Sequence, residues 1–161
     1  AVDNVAEGRK NLGEKMPVLI YRVALYSLRS VLMQRLGDES MREIFREAGS
    51  VAGKEFARHL LDLSLPLDEF LAVLQKLLAE QEIGILRVKK FDVQTGEAVL
   101  TVGEDLYCSG LPVTGDTVCN YDEGFLAGIL GEYTGKNYIV TEVDCWASGA
   151  RVCRFEAKLG E

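Results

Sequence analysis

Apolar residues recur along this chain first at helical and later at strand spacing. Beginning at Pro17, the residues Val18, Tyr21, Leu25, Leu28, Leu32 and Leu36 fall on one helical stripe, with Arg22, Arg29 and Arg35 mostly off it. Pro17 suits a first helical turn and Gly37 a stop. A second helix is expected from Asp38, as N-cap, toward Asp62, its apolar face carried by Met41, Ile44, Phe45, Ala48, Ala52, Phe56 and Leu60. Its middle holds Gly49 and Gly53 beside Ala48 and Ala52. Glycine costs helix stability and permits very close approach, by a neighbouring helix in the favoured reading or by a ligand in the other. After a turn at Ser64–Leu67, Asp68 and Glu69 place negative charge at the start of a third helix that carries Leu67, Phe70, Leu71, Leu74, Leu77 and Leu78.

Near Gln81–Gly84 the period changes. Ile85–Val93 and Ala98–Val102 are rich in branched residues and read as two strands joined by a hairpin turn at Gln94-Thr95-Gly96-Glu97. Residues 104–118 form a long irregular stretch with Gly110, Pro112, Gly115 and Asp116, and loops of that size usually have a task. From Asn120 a fourth helix turns Phe125, Leu126, Ile129, Leu130 and Tyr133 inward, again with glycines four apart at Gly124 and Gly128. Asn137–Asp144 and Arg151–Leu159 read as two more strands. Strands gathered after a run of helices predict an α+β domain: helices packed on one face of a mostly antiparallel sheet of about four strands. Residues 1–16 are a polar lead-in and 17–161 a single domain, and a chain starting at Ala1 is expected to be part of something longer.

Composition narrows the function. Eighteen Lys and Arg against 25 Asp and Glu give a net charge of −7, with no basic run, which argues against direct contact with nucleic acid. Neither a membrane span nor a signal-peptide core is legible, which points to the cytoplasm. The four cysteines are then expected as reduced thiols or metal ligands rather than disulfides.

Candidate chemistry concentrates in Cys119, Glu142, Cys145 and Cys153. Three thiolates and a carboxylate would fill the closed tetrahedral shell of a structural zinc. Cys145 and Cys153 bracket a short loop containing Ser148-Gly149, so a hairpin brings their sulfurs together. Cys119 precedes a helix whose first turn carries Asp122 and Glu123, and a helix N-terminus favours the thiolate. Glu142 and Cys145 are an odd number of residues apart and would point to opposite faces of a regular strand, so the strand must end or bulge near Val143. Cys108 is the alternative fourth ligand.

The run Cys108-Ser109-Gly110-Leu111-Pro112, then Val118-Cys119, Gly124-Phe125, Gly128, Glu142, Cys145-Trp146, Gly149 and Val152-Cys153-Arg154-Phe155 resembles the vinyl-4-reductase (4-vinyl reductase) domain family. The spacing of the four ligand positions is similar to that of the zinc site in the family's sensor domains from phenol- and xylene-responsive bacterial activators. Over Pro17–Val102 the likeness rests on element order and on the helix with Gly49 and Gly53. The resemblance implies a fold related to nitric-oxide-signalling and Golgi-transport ligand-binding domains, a structural zinc, a homodimer, and a hydrophobic pocket between helices and sheet.

Candidate pocket walls are Tyr21, Leu25, Phe45, Ala52, Phe56, His59, Tyr107, Phe125 and Trp146, although for each alone core packing is the ordinary role. His59, the sole histidine, could orient a phenolic hydroxyl or ligate haem iron, but a half-exposed helical position is the better reading. Three functions follow in order: a zinc-stabilised domain that binds and senses a small hydrophobic molecule, aromatic or tetrapyrrole; an enzyme or accessory in tetrapyrrole vinyl reduction; and a ligand-free scaffold subunit. Catalysis is disfavoured because no dinucleotide fingerprint and no nucleophile–base pair can be read, so no catalytic residue is assigned.

Overall fold

The structure, a computed structural model, describes residues 4–160. The first three residues of the lead-in lie outside the described residues. In the rest of the lead-in, Val5–Gly8 make one helical turn, α1, with no buried side chain.

Three longer helices follow: α2 (Val18–Leu36), α3 (Asp38–Leu60) and α4 (Leu67–Glu80). Pro17 and Gly37 stand at the two ends of α2. Asp38, expected as N-cap of α3, is instead its first residue, because Gly37 at φ 89° makes the corner. The Asp38 carboxylate is left free to take the Arg42 Nε at 2.8 Å one turn on.

The four strands β1 (Ile85–Phe91), β2 (Ala98–Gly103), β3 (Tyr138–Asp144) and β4 (Cys153–Leu159) form one antiparallel sheet in the order β1-β2-β4-β3. At the β1–β2 turn the Asp92 carboxylate accepts the backbone N–H groups of Gln94 and Thr95, and Gly96 supplies a φ of 77°. Alternation puts Leu100, Val102, Val140, Cys153, Phe155 and Ala157 on the buried face, in register as Leu100–Phe155 and Val102–Cys153. Ile139, Thr141, Glu156 and Lys158 face outward. The register of β3 against β4 shifts between Glu142 and Asp144, the irregularity that the Glu142–Cys145 spacing demands.

The last helix, α5 (Asn120–Thr134), crosses α3 in the most extensive contact between any two elements. The crossing is made by glycine on both sides. A Cβ on Gly49 would meet the Tyr121 carbonyl oxygen, one on Gly53 the Phe125 carbonyl oxygen, and one on Gly124 the Arg46 carbonyl oxygen. The helix-packing reading of Gly49 and Gly53 is therefore the correct one: backbone of α5, not a ligand, lies on that strip.

Candidate metal centre

Four segments deliver one cysteine each. After β2, Glu104 takes a left-handed φ of 50° and turns the chain into residues 105–110. The buried Asp105 carboxylate then accepts the N–H groups of Tyr107 (2.9 Å) and Cys108 (3.0 Å), a local turn that fixes Cys108. Cys119 is the N-cap of α5, its carbonyl accepting the Glu123 N–H at 3.0 Å. Cys145 follows the β3 irregularity in a tight turn. There the Ser148 hydroxyl receives the Cys145 N–H and donates to the Cys145 carbonyl, both at 2.9 Å. Cys153 opens β4 opposite Val102. The Ala147 carbonyl accepts the N–H groups of Thr114 and Gly115, which ties the long loop to the β3–β4 turn.

The sulfurs of Cys108, Cys119, Cys145 and Cys153 all lie within 4.8 Å of one another, and all four residues are buried. Cys119 Sγ is 3.9 Å from Cys145 Sγ and 3.8 Å from Cys153 Sγ, while Cys108 and Cys153 approach to 3.1 Å. Metal–sulfur bonds of about 2.3 Å in a tetrahedron separate the sulfurs by roughly 3.8 Å, so two of these separations already match a zinc-sized ion. The thiols share one negative charge: contacts from Cys108, Cys119 and Cys153 hold Cys145 far below the ordinary thiol range, while Cys119 is pushed well up, first by Cys108. A divalent ion removes this competition by stabilising every thiolate together.

Glu142, expected in the shell, stands one layer out. Its Oε1 accepts the Cys119 N–H at 3.0 Å, and burial followed by the Cys145 charge pushes its carboxyl up to about 8. Among the described residues, the buried side-chain polar atoms without a hydrogen-bond partner are Ser109 Oγ, Asp122 Oδ2, Glu142 Oε2 and Trp146 Nε1. Each belongs to a residue within three positions of a cluster cysteine. Two of them are carboxylate oxygens in a dry, sulfur-rich interior, where a nearby cation is the natural compensation. Asp105, Cys119 and Asp122 also gather within 4.8 Å, and burial and then the Asp105 charge hold the Asp122 carboxyl well above its usual range.

Sequence reasoning missed what pins this centre to the helices. Arg29, placed off the apolar stripe of α2, is only 8 % exposed and is the one residue of that helix to be so enclosed. It donates to the Val118 carbonyl (3.1 Å), to Asn120 Oδ1 (3.1 Å) and to the Tyr107 hydroxyl (3.4 Å). Arg22 donates to the Leu106 carbonyl at 2.9 Å, Arg42 to the Thr117 carbonyl at 2.8 Å, and Arg46 to Glu123 Oε1 at 2.9 Å. Glu123 in turn accepts the Glu142 N–H at 2.8 Å. Tyr26 donates to the Tyr107 carbonyl at 3.0 Å and stacks on the Tyr107 ring at 4.7 Å. The arginine spacing of 22, 29, 42 and 46 was the available signal, because it puts one positive row on two successive helices.

The expected pocket walls lie in several places. Phe45 and Tyr107 are buried with their rings 6.4 Å apart, and Phe56 meets Phe125 edge-on at 5.2 Å. Tyr21, Leu25, Ala52 and Trp146 are half-buried, with Arg151 over the Trp146 ring at 4.5 Å. His59 is exposed on α3, its ring 3.0 Å from Glu55, away from the cysteines. Tyr21 lines a cleft of about 220 Å³ together with Lys15, Met16, Val18, Glu82 and Leu106. Larger clefts, of about 390 Å³ and 320 Å³, run beside α3, α5 and β3 and share Ser50, Ala127 and Tyr138.

Against known proteins, the vinyl-4-reductase domain family model matches residues 98–159, the stretch from β2 to β4 that contains all four cysteines. An uncharacterized protein of Methanocaldococcus jannaschii is 29% identical over 150 residues, 93% of this chain and 80% of that protein. The phenol-responsive sensory domain of the transcription activator PoxR, solved with phenol, superposes with a TM-score of 0.69 at 21% identity, over 92% of this chain and 79% of that one. A vinyl-4-reductase family protein from Methanocaldococcus jannaschii superposes with a TM-score of 0.67 at 17% identity, over 98% and 93%. The family resemblance read from the cysteine and glycine spacing is thereby shown, and at these identities the two structures speak to the fold. No helix among the described residues is long and apolar enough to cross a membrane.

Proposed function

We propose that residues 17–161 form a single zinc-stabilised domain that binds a small hydrophobic molecule and acts as a sensor, working in the cytoplasm as a homodimer without direct contact with nucleic acid or membrane. The observation that carries the zinc reading is the convergence of four buried sulfurs from four segments distant in sequence. Cys108, Cys119, Cys145 and Cys153 form the shell, with Glu142 orienting Cys119 through its N–H. The ion is structural, since four protein thiolates leave no open position for water.

Similarity in fold to a phenol-responsive domain supports the sensor reading. The ligand enters at the Tyr21 cleft, which is below the 300–1,000 Å³ usual for drug-sized molecules but has room for a single-ring compound. Its wall residue Leu106 is held by Arg22 and lies two residues before Cys108, so occupancy there bears directly on the cysteine loop. Phe45, Ala52, Phe56, His59, Tyr107, Phe125 and Trp146 stand farther from this mouth; a larger ligand would have to part the Phe56–Phe125 ring pair.

Native mass spectrometry of the protein purified without chelator, followed by calorimetric titration with phenol and with a divinyl tetrapyrrole, tests the whole reading. One zinc per chain with saturable binding and no chemical change in the ligand is the expected result. Protein that folds fully with no bound metal, or reduction of the tetrapyrrole vinyl group when a reductant is added, would overturn it.

A further inference from the structure

Helix α2 is built inside out. Arg22 and Arg29 turn into the protein, where backbone carbonyls take them up, while the opposite side of the helix is uncharged and exposed. Centred on Ser27, that outer side carries Ile20, Val23 and Ala24 before it and Ser30, Val31 and Gln34 after it, at the spacings of minus and plus seven, four and three that define one helix face. Val23 is 58 % and Val31 48 % exposed, and Leu19, Ile20 and Leu28 widen the patch. The Ser27 hydroxyl donates to the Ala24 carbonyl at 3.0 Å within the helix, so even this polar group is turned away from a partner. Contiguous apolar surface of this kind marks an interaction site.

We infer that this face of α2 is where a second copy of the chain docks, with the two α2 helices antiparallel and the twofold axis passing through Ser27. The proposal rests on the dimeric reading above and assigns its surface. An antiparallel pair about Ser27 sets Val23 against Val31 of the partner subunit and Ala24 against Ser30 of the partner subunit. The small residues near the axis allow close approach, and no charge is buried or repelled, although each chain carries a net charge of −7. A lipid surface fits less well. Helices that lie on membranes present lysine and arginine at the headgroups, and the two arginines in the middle of α2 face the opposite way.

Size sets the strength. Nineteen residues give a helix about 28 Å long and about 10 Å wide, a footprint of roughly 300 Å² per copy, below the roughly 800 Å² of durable complexes. The dimer is therefore reversible, with a dissociation constant in the micromolar range.

Analytical ultracentrifugation of the metal-loaded chain from about 1 µM to about 1 mM tests this, alongside Ser27→Arg and Ser27→Cys. A concentration-dependent dimer is expected in the unchanged chain. Ser27→Arg, which sets two like charges across the axis, weakens it at least about 100-fold with unaltered circular dichroism and metal content. Ser27→Cys joins to itself through a short bismaleimide. Should the unchanged chain stay monomeric throughout, the dimeric reading and this surface both fall. A dimer that persists in Ser27→Arg and gives no Ser27→Cys cross-link overturns the surface alone. Sedimentation with phosphatidylcholine vesicles, abolished by Ser27→Arg, would reassign the face to lipid.

Discussion

Helix α5 is held in two unlike ways along its length. Its middle has no side chains where it meets α3: Gly124 and Gly128 press on the Arg46–Ser50 backbone while Gly49 and Gly53 press on Tyr121 and Phe125. Its first turn is held by charge and sulfur, through Cys119 in the cluster, Asn120 on Arg29, and Glu123 between Arg46 and the Glu142 N–H. The two regions fail differently. A backbone crossing has nothing to rearrange, so any added atom must separate the helices. The polar end has many partners, each worth a modest amount, and depends on conditions such as available metal and pH.

Gly53→Val should have the largest effect, because its Cβ meets the Phe125 backbone rather than a side chain that could swing aside. A loss above about 4 kcal/mol, enough to abolish a folded state in most variants, is expected in urea titrations. Gly8→Ala, with nothing near its Cβ, should change stability by less than about 0.5 kcal/mol. If Gly53→Val folds normally, the crossing is looser than described.

Cys145→Ser, or strong chelation, should come next. Structural zinc can supply the whole folding energy of a small finger, but here a hydrophobic core remains, so roughly 3 kcal/mol is expected, with amide exchange rising around 105–120 and 145–153 while the α3–α5 crossing stays protected. Cobalt substitution sharpens the ligand assignment. Cys108→Ser should lower the thiolate-to-metal absorption, whereas Glu142→Gln should keep it and cost about 10- to 100-fold in affinity. The reverse pattern would restore Glu142 to the shell.

These two regions were also unequally legible. Glycine pairs four apart at 49 and 53 and at 124 and 128 are local, so sequence alone showed that something must come very close; that the two pairs meet each other is a tertiary fact. The bulge near Val143 was readable because strand alternation admits no odd step between two inward side chains. The choice of Cys108 over Glu142 was not, since it depends on the Asp105 turn lifting Cys108 into the cluster and on the Cys119 N–H claiming the carboxylate. Arg29 was misplaced for a related reason. A charged residue reads as solvent-facing until the acceptors that will receive it are known, and those lie 78 to 91 residues away.

Arg29→Met should cost about 2–3 kcal/mol, less than metal loss. Methionine fills the volume but leaves the Val118 carbonyl and Asn120 Oδ1 short of a donor in a buried setting. Asn120 keeps a longer contact from Arg42 at 3.4 Å, which limits the damage. Metal affinity should fall with it, because Val118 directly precedes Cys119.

Tyr26→Phe isolates the smallest of these ties. The ring stays stacked on Tyr107 at an interplanar angle of 16°, so only the hydroxyl and its bond to the Tyr107 carbonyl are lost. That carbonyl is one residue from Cys108, and a single neutral hydrogen bond is worth about 1 kcal/mol. The expected signature is a small fall in unfolding midpoint and faster amide exchange at Cys108 and Ser109, with no change at Gly49 or Gly124. Equal loosening at both ends of α5 would mean that the helix responds as one rigid body, and the division drawn between its glycine-packed middle and its sulfur-bound first turn would not hold.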